Sequence, residues 1–322
     1  MTTRFTGAVT VIEVGPEDAA EVVAMIAAGS GAREFVDPPS ADDSVESVTA
    51  SLSVHGGLLA RSGPHPVGAL LLEDRRRLLG IRRCSVHPEG AALGVAGALV
   101  GAAERVARTR GYDGLRLHAR TDQPEALGFW EHLGYTESGR DGTRITLAKV
   151  LPVERVAESA DEAHALGASL AGVLRAGDLV ILTGDLGAGK TTFAQGLGAG
   201  LGVRGAVTSP TFVISRVHPS LVGGPALVHV DAYRLGGLAE LDDLDLDTSL
   251  DDAVTVVEWG EGSAEGLGET RLEVTITRAR GDDPSDDASD DPSNDTDTDA
   301  RRFRFTPVGA RWLDARLRET LA

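Results

Sequence analysis

The chain has 322 residues, 42% of them hydrophobic, which is enough for two ordinary domains that each bury a core of their own. Its single cysteine, Cys84, excludes an internal disulfide and a thiolate metal site, and reads as a small buried apolar side chain. A net charge of −18 argues against a large nucleic-acid surface, because such affinity comes from Lys and Arg neutralising phosphates; any role on nucleic acid points to a partner that holds it.

In chain order, VTVIEV (9–14) predicts a strand, PEDAAEVVAMIAAG (16–29) an amphipathic helix, GGLLARSGPHPVGALLLED (56–74) a hairpin and LLGIRRCSVH (78–87) a further strand. An alanine-rich helix follows from about Gly94 to Arg110, then a strand at GLRLHA (114–119), a helix at PEALGFWEHLG (124–134) and a strand at RITLAKV (144–150). This is a mixed α/β domain over residues 1–150, and LPVE (151–154) is the joint at which the strand–helix sequence restarts.

Residues 151–322 form the second domain. A strand near 153–158 and a helix at 160–177 lead to the apolar strand DLVILTG (178–184), a glycine-rich loop and the helix KTTFAQGLGAGL (190–201). Strands are expected at 211–218, 226–235, 253–261, 271–277 and 303–308, with a helical patch at GLAELDDLDL (237–246) and a closing helix from about Ala310. Strands alternating with helices predict a largely parallel sheet covered on both faces. Between the last two strands, GDDPSDDASDDPSNDTDTDA (281–300) holds nine Asp and no apolar residue larger than Ala, so a disordered, solvated acidic loop is expected there. No apolar run reaches about 18 residues, and MTTRFTGAVTVIEVG lacks a basic region followed by an apolar one. Both readings point to a cytoplasmic protein.

The loop carries the chemistry. Gly184, Asp185, Leu186, Gly187, Ala188, Gly189, Lys190 and Thr191 match GxxxxGK[ST] without deviation, between a predicted strand and a predicted helix. Glycines let successive amides turn toward one point, a nest for phosphate oxygens to which the helix N-terminus adds its positive end. Lys190, one of only two lysines in an arginine-rich chain, supplies a compact charge on a flexible stem, which arginine's planar fork does not reproduce. Thr191 offers a hydroxyl to Mg²⁺, and Thr192 offers one to an α-phosphate. Two acids close apolar strands and are the candidates to hold the metal and orient water: Asp231 after ALVHV and Glu258 after AVTVV.

GDLGAGKTTF (184–193), TSPTFV (208–213), HVDAYRL (229–235) and VVEWGE (256–261), in this order, resemble the TsaE family, small P-loop ATPases of bacterial threonylcarbamoyladenosine tRNA modification. The resemblance covers roughly residues 153–322. It implies an ATPase that does not itself transfer the threonylcarbamoyl group to tRNA but supports turnover of a complex of TsaD and TsaB subunits, meeting tRNA only indirectly. By motif it implies that Leu186 to Thr191 hold the phosphates, that Thr191 and Glu258 coordinate Mg²⁺, that Asp231 is a Walker B-like acid and that Lys190 is catalytic. Ser209, Pro210, Thr211 and Phe212 resemble the family's switch-like segment, and Trp259 its aromatic residue beside the nucleotide. Tyr233 and Arg234 match the family as well. The family's common Thr in the first helix falls on Ala163, and the acidic segment is an insertion.

SVHPEGAALGVAGALVGAAERVARTRGYDGLRLHA (85–119) and DQPEALGFWEHLGY (122–135) resemble the GNAT acetyltransferase family. This implies a strand, pyrophosphate loop and helix that cradle acetyl-CoA, with Val86, Gly94 and Ala96 as contacts. Two departures stand out: the loop's usual Arg or Gln falls on Ala91, and the tyrosine often used as general acid falls on Trp130, which has no suitable proton. The leading expectation is an ATPase of tRNA modification fused to a domain that binds acetyl-CoA and acetylates an unidentified amine. Two alternatives remain: an N-acetyltransferase with a regulatory nucleotide-binding domain, and a ligand-gated interaction protein.

Overall fold

The computed structural model describes residues 8–29, 35–36, 43–208, 214–233, 252–262, 264–278 and 299–322, without the side chains of Ala91 and Ala92. The expected patch at 237–246 and the acidic segment through 298 lie outside these residues. The chain divides into two compact units, Met1–Leu151 and Pro152–Ala322, each built on a seven-stranded sheet.

In the first unit the strands are β1 (Val9–Val14), β2 (Gly57–Ser62), β3 (His65–Arg75), β4 (Leu78–Val86), β5 (Gly114–Arg120), β6 (Thr136–Asp141) and β7 (Arg144–Val150), in the order β1-β2-β3-β4-β5-β7-β6. All pairs are antiparallel except β4 with β5. Helices α1 (Ala19–Gly29) and α2 (Val45–His55) cover one face, where Val22, Met25, Ile26, Val48 and Leu52 pack on Leu59, Ala69 and Leu71. Helix α3 (Val95–Thr109) covers the other, with Leu99, Ala103 and Val106 against Leu70, Leu72 and Ile81. Burial of each of the larger side chains, Val, Leu, Ile or Met, contributes about 1.5–3 kcal/mol. Helix α4 (Pro124–His132) follows β5 and buries Trp130 in the same core.

The β4–β5 ladder runs only from Leu78↔Gly114 to Ile81↔Leu117, although the strands continue to Val86 and Arg120. A register shift puts Leu71 opposite Arg83 and Leu72 opposite Ile81, so Arg82 is an extra residue in β4 and bends it just where the ladder ends. The sheet therefore opens beside the end of β4. Two elements had no expectation. α2 carries Ser, Thr and Val mixed without a sharp apolar period and is started by Ser44, whose hydroxyl accepts from the Ser47 N–H at 3.2 Å. β6, TESGRD, is an almost wholly exposed edge strand with no apolar alternation to read.

In the second unit β8 (Val153–Ala157), α5 (Ala160–Ala171), β9 (Leu179–Thr183), α6 (Lys190–Leu201), β10 (Ser215–His218), β11 (Ala226–Asp231), β12 (Ala253–Glu258), β13 (Arg271–Arg278) and β14 (Arg301–Val308) give the order β10-β11-β12-β9-β13-β14-β8. The centre, β11-β12-β9-β13, is parallel, and the flanking pairs are antiparallel. The predicted parallel sheet is thus its central four strands. Helix α5 stops at Ala171, six residues before the expected end, and the expected closing helix is a 3₁₀ turn, Ala310–Asp314, followed by one helical turn, Leu317–Thr320.

α6 lies against one face of this sheet, where Phe193 meets the rings of Phe303 and Phe305 at 5.4 and 5.9 Å. α5 lies so close to α6 that glycine is required at the crossing. A Cβ on Gly196 would stand 1.9 Å from the His164 carbonyl oxygen, and one on Gly167 2.2 Å from that of Phe193. The opposite face carries Leu179, Ile181, Val228, Val230 and Val257, with Ala264 and Leu267 packed against them.

Candidate functional site

The strand β9 is apolar and buried through Leu182, then the chain leaves the sheet at Gly184 with φ 153°. A Cβ there would lie 2.4 Å from the Ile276 carbonyl oxygen, so the loop backbone is pressed against β13. Asp185, Leu186 and Gly187 form the exposed rim, and Ala188 turns inward, its N–H donating to the Asp185 carbonyl at 3.1 Å. Gly187 (φ 77°) and Gly189 (φ 104°) both occupy left-handed backbone that a side chain would strain. Gly189 is also the N-cap of α6 and supplies no capping side chain, so the amides of the first turn are left for an anion.

Lys190, the first residue of α6, is buried. Its Nζ donates to the carbonyl oxygens of Gly184 (2.7 Å) and Asp185 (3.0 Å) and stands 3.5 Å above the centroid of Trp259. Burial lowers its pKa from the ordinary lysine value, opposed by the carboxylates of Glu258, Asp231 and Asp185. Trp259 reaches this position from left-handed backbone, φ 63°, a conformation that costs of order 1–3 kcal/mol. Its N–H donates to the Leu182 carbonyl at 3.0 Å, and the ring of exposed Tyr233 lies 5.1 Å from its own. The lysine is held on the loop's own carbonyls, where a phosphate would take their place.

The register across the sheet sets the acids. Asp231, Glu258 and Leu182 are aligned across β11, β12 and β9, so both carboxylates end parallel strands on the α6 side. Both are buried. The Thr191 hydroxyl stands 3.1 and 3.2 Å from the two oxygens of Glu258, and Oδ1 of Asp231 accepts from the Tyr233 N–H at 3.0 Å. Thr192 is half-buried in the first turn of α6. Ser209 and Thr211, with Pro210, Phe212 and Arg234, lie outside the described residues.

Sequence reasoning assigned no part to His229. Two residues before Asp231 on the same strand face, it is 0% exposed and its Nε2 lies 2.9 Å from Oε1 of Glu258. The available signal was one polar residue inside the apolar run ALVHV. Among the described residues no cluster of three or more His, Cys, Asp or Glu could hold a metal by itself. The hydroxyl of Thr191 and the carboxylate of Glu258 are nevertheless hard oxygen donors that suit Mg²⁺, which takes few protein ligands when phosphates and water supply the rest.

In the first unit, Val86 ends β4, a 3₁₀ turn spans Pro88–Leu93, and Gly94 (φ 68°) starts α3, in which Ala96 is buried. A Cβ on Gly94 would meet nothing within 4 Å, so the position faces open space. The three expected coenzyme contacts therefore share one strand–turn–helix junction at the opened end of the sheet. Trp130 is fully buried and its indole N–H donates to the Phe35 carbonyl at 2.5 Å, which occupies the one proton this side chain can give. Its ring packs edge-on against Tyr135 at 4.9 Å, whose hydroxyl is buried without a partner among the described residues. Burial pushes the Cys84 thiol up to about 12, in keeping with an inert core residue.

Among the described residues no helix is long and apolar enough to cross a membrane. Residues 157–285 match the family model "Threonylcarbamoyl adenosine biosynthesis protein TsaE", and residues 32–135 match the acetyltransferase (GNAT) family. The chain is 61% identical over 151 residues to the tRNA threonylcarbamoyladenosine biosynthesis protein TsaE of Streptomyces coelicolor, an alignment covering 47% of this chain and 93% of that one. Among solved structures it is similar to Bacillus subtilis YdiB, with 31% identity and a TM-score of 0.40 over 53% of this chain and 94% of the other. It is also similar to the PaiA N-acetyltransferase of Thermoplasma acidophilum in complex with coenzyme A, with 14% identity and a TM-score of 0.39 over 45% of this chain and 99% of the other. Its N-terminal half resembles a GNAT domain, and through its C-terminal half the chain belongs to the TsaE family.

Proposed function

We propose that the second unit binds and hydrolyses ATP with Mg²⁺, and that this hydrolysis supports threonylcarbamoyladenosine modification of tRNA through TsaD- and TsaB-type partners in the cytoplasm. The observation that carries this reading is the convergence of Lys190, Thr191, Asp231 and Glu258 at the carboxyl ends of parallel strands, in a chain 61% identical to a TsaE protein. The amides from Leu186 to Thr191 cradle the phosphates, and Lys190 exchanges the carbonyls of Gly184 and Asp185 for the β- and γ-phosphates. Thr191 and Glu258 would hold the Mg²⁺, which when bound neutralises charge on the phosphate oxygens. Asp231, held by the Tyr233 amide, orients the attacking water. Ser209 and Thr211 belong to the same nucleotide site by motif, and Trp259 borders it. An acidic chain suits indirect contact with tRNA, since its net charge of −18 would repel a phosphate backbone.

The experiment is replacement of the endogenous protein in cells by Lys190→Ala, with tRNA nucleosides measured by mass spectrometry. Loss of threonylcarbamoyladenosine supports the reading, and normal levels in cells lacking any functional copy overturn it.

For the first unit, the junction at Val86, Gly94 and Ala96 supports acetyl-CoA binding. Acetyl transfer to an amine would need a proton donor other than Trp130, because its N–H is bonded to the Phe35 carbonyl. Calorimetry with acetyl-CoA is the test; no heat at millimolar ligand removes the coenzyme from the reading.

A further inference from the structure

His229 stands at a sheet position that packing alone would give to Val or Leu. Its ladder partner on β12, Val256, is apolar and buried, as is Val180 beyond it on β9; on the other side it pairs with Arg216 of β10, and the ring is fully enclosed. Its Nδ1 is buried with no hydrogen-bond partner among the described residues, a cost that an aliphatic side chain would not carry. The compensation is its bond to Glu258. A carboxylate only accepts, so the imidazole Nε2 carries the proton and donates it to Oε1 at 2.9 Å. Glu258 is itself 2% exposed, and the hydrogen bonds to its carboxylate among the described residues come from His229 behind it and the Thr191 hydroxyl in front. With one oxygen anchored from inside the sheet, the carboxyl group cannot rotate freely about its last torsion. A carboxylate so held presents one fixed face toward Thr191 before any ligand arrives.

We propose that His229 is a positioning residue, whose Nε2–H fixes the Glu258 carboxylate toward Thr191 and thereby sets the affinity of the nucleotide-loaded protein for magnesium. The inference rests on the nucleotide and magnesium reading given above, and adds a residue behind the proposed ligand. Groups in this relation to a metal-binding carboxylate typically contribute about 10–100-fold to metal affinity or activity.

The test compares His229→Gln, whose amide N–H reaches roughly where Nε2 stood, with His229→Asn, whose shorter amide does not. ADP binding to the full chain is measured by calorimetry in EDTA and again in MgCl₂, and Mn²⁺ binding to the ADP complex by electron paramagnetic resonance. H229N is expected to keep the EDTA affinity and to bind Mn²⁺ about 10–100-fold more weakly, while H229Q stays close to the unsubstituted protein. In an E258Q background H229N should bring little further loss, because the histidine acts through that carboxylate. Equal Mn²⁺ affinity in all three proteins, or equal loss in H229N and H229Q, overturns the role of His229 alone. If the unsubstituted chain binds no ADP, the nucleotide reading falls and His229's role with it.

Discussion

The two units use one backbone device with opposite side-chain endowments. In each, a strand ends, the chain turns, and a glycine in left-handed conformation opens a helix: Gly94 (φ 68°, ψ 22°) before α3 and Gly189 (φ 104°, ψ 14°) before α6. Neither helix has a capping side chain, so both present bare amides at their start. α6 then begins Lys190, Thr191 and Thr192, with two buried carboxylates at the neighbouring strand ends, whereas α3 begins Val95, Ala96 and Gly97. In the reading proposed above, the backbone device offers a phosphate a seat. Only the charged and hydroxyl groups around the second one equip it to work on what sits there.

The comparison is tested most severely by removing those groups. Glu258→Gln should lower the rate of ATP hydrolysis on the order of 100-fold or more, with ADP affinity in EDTA little changed; steady-state assays and calorimetry separate the two, and unchanged hydrolysis would break the contrast. Next comes the scaffold beneath α6. Gly196→Ala drives a methyl into the His164 carbonyl, and the helices must part, lowering stability by about 1–3 kcal/mol or more; chemical denaturation of the full chain, with nucleotide affinity followed in parallel, measures it. A matched pair probes the shared device. Gly94→Val and Gly189→Val each force a β-branched residue into left-handed backbone at a cost of order 1–3 kcal/mol. The first should weaken acetyl-CoA and spare ATP, the second the reverse, and an acetyl-CoA affinity indifferent to Gly94→Val would remove the coenzyme from that junction.

A smaller effect concerns pH. Burial lowers the Lys190 pKa, so as pH rises the ammonium is lost earlier than in an ordinary lysine, and nucleotide affinity should decline at a lower pH than in a protein whose phosphate lysine is exposed. Phosphate binding pulls the other way, and calorimetry in buffers of different ionisation heat would register the proton taken up. The least visible change is expected at Cys84. With its thiol pushed up to about 12, it should resist a disulfide reagent at pH 8 in the native protein and react at once in denaturant.

The glycine-rich turn between β9 and α6 was legible in the sequence because everything it needs is local: turn glycines, one lysine and one hydroxyl within eight residues, preceded by an apolar run. The helix α6 was legible to the residue, 190–201, since glycine bounds it at both ends. What stayed hidden depends on partners far along the chain. Residues 29 positions apart form the His229–Glu258 bond and 95 separate Trp130 from the carbonyl that takes its proton, distances over which no periodicity carries information. The edge strand β6 stayed hidden for another reason, since it is held to β7 by backbone pairing and the hydroxyls of Thr136 and Ser138 and needs no apolar pattern.

By itself, then, the sequence determined the two-part α/β plan, the glycine-rich turn before α6 and the family resemblance of each half, because local propensity and contiguous motifs encode them. Only the tertiary structure decided that Asp231 and Glu258 align in register with Leu182, that Trp259 lies under Lys190 and that His229 stands behind Glu258. Those facts follow from strand order and register, which a one-dimensional pattern constrains only through the packing it finally achieves.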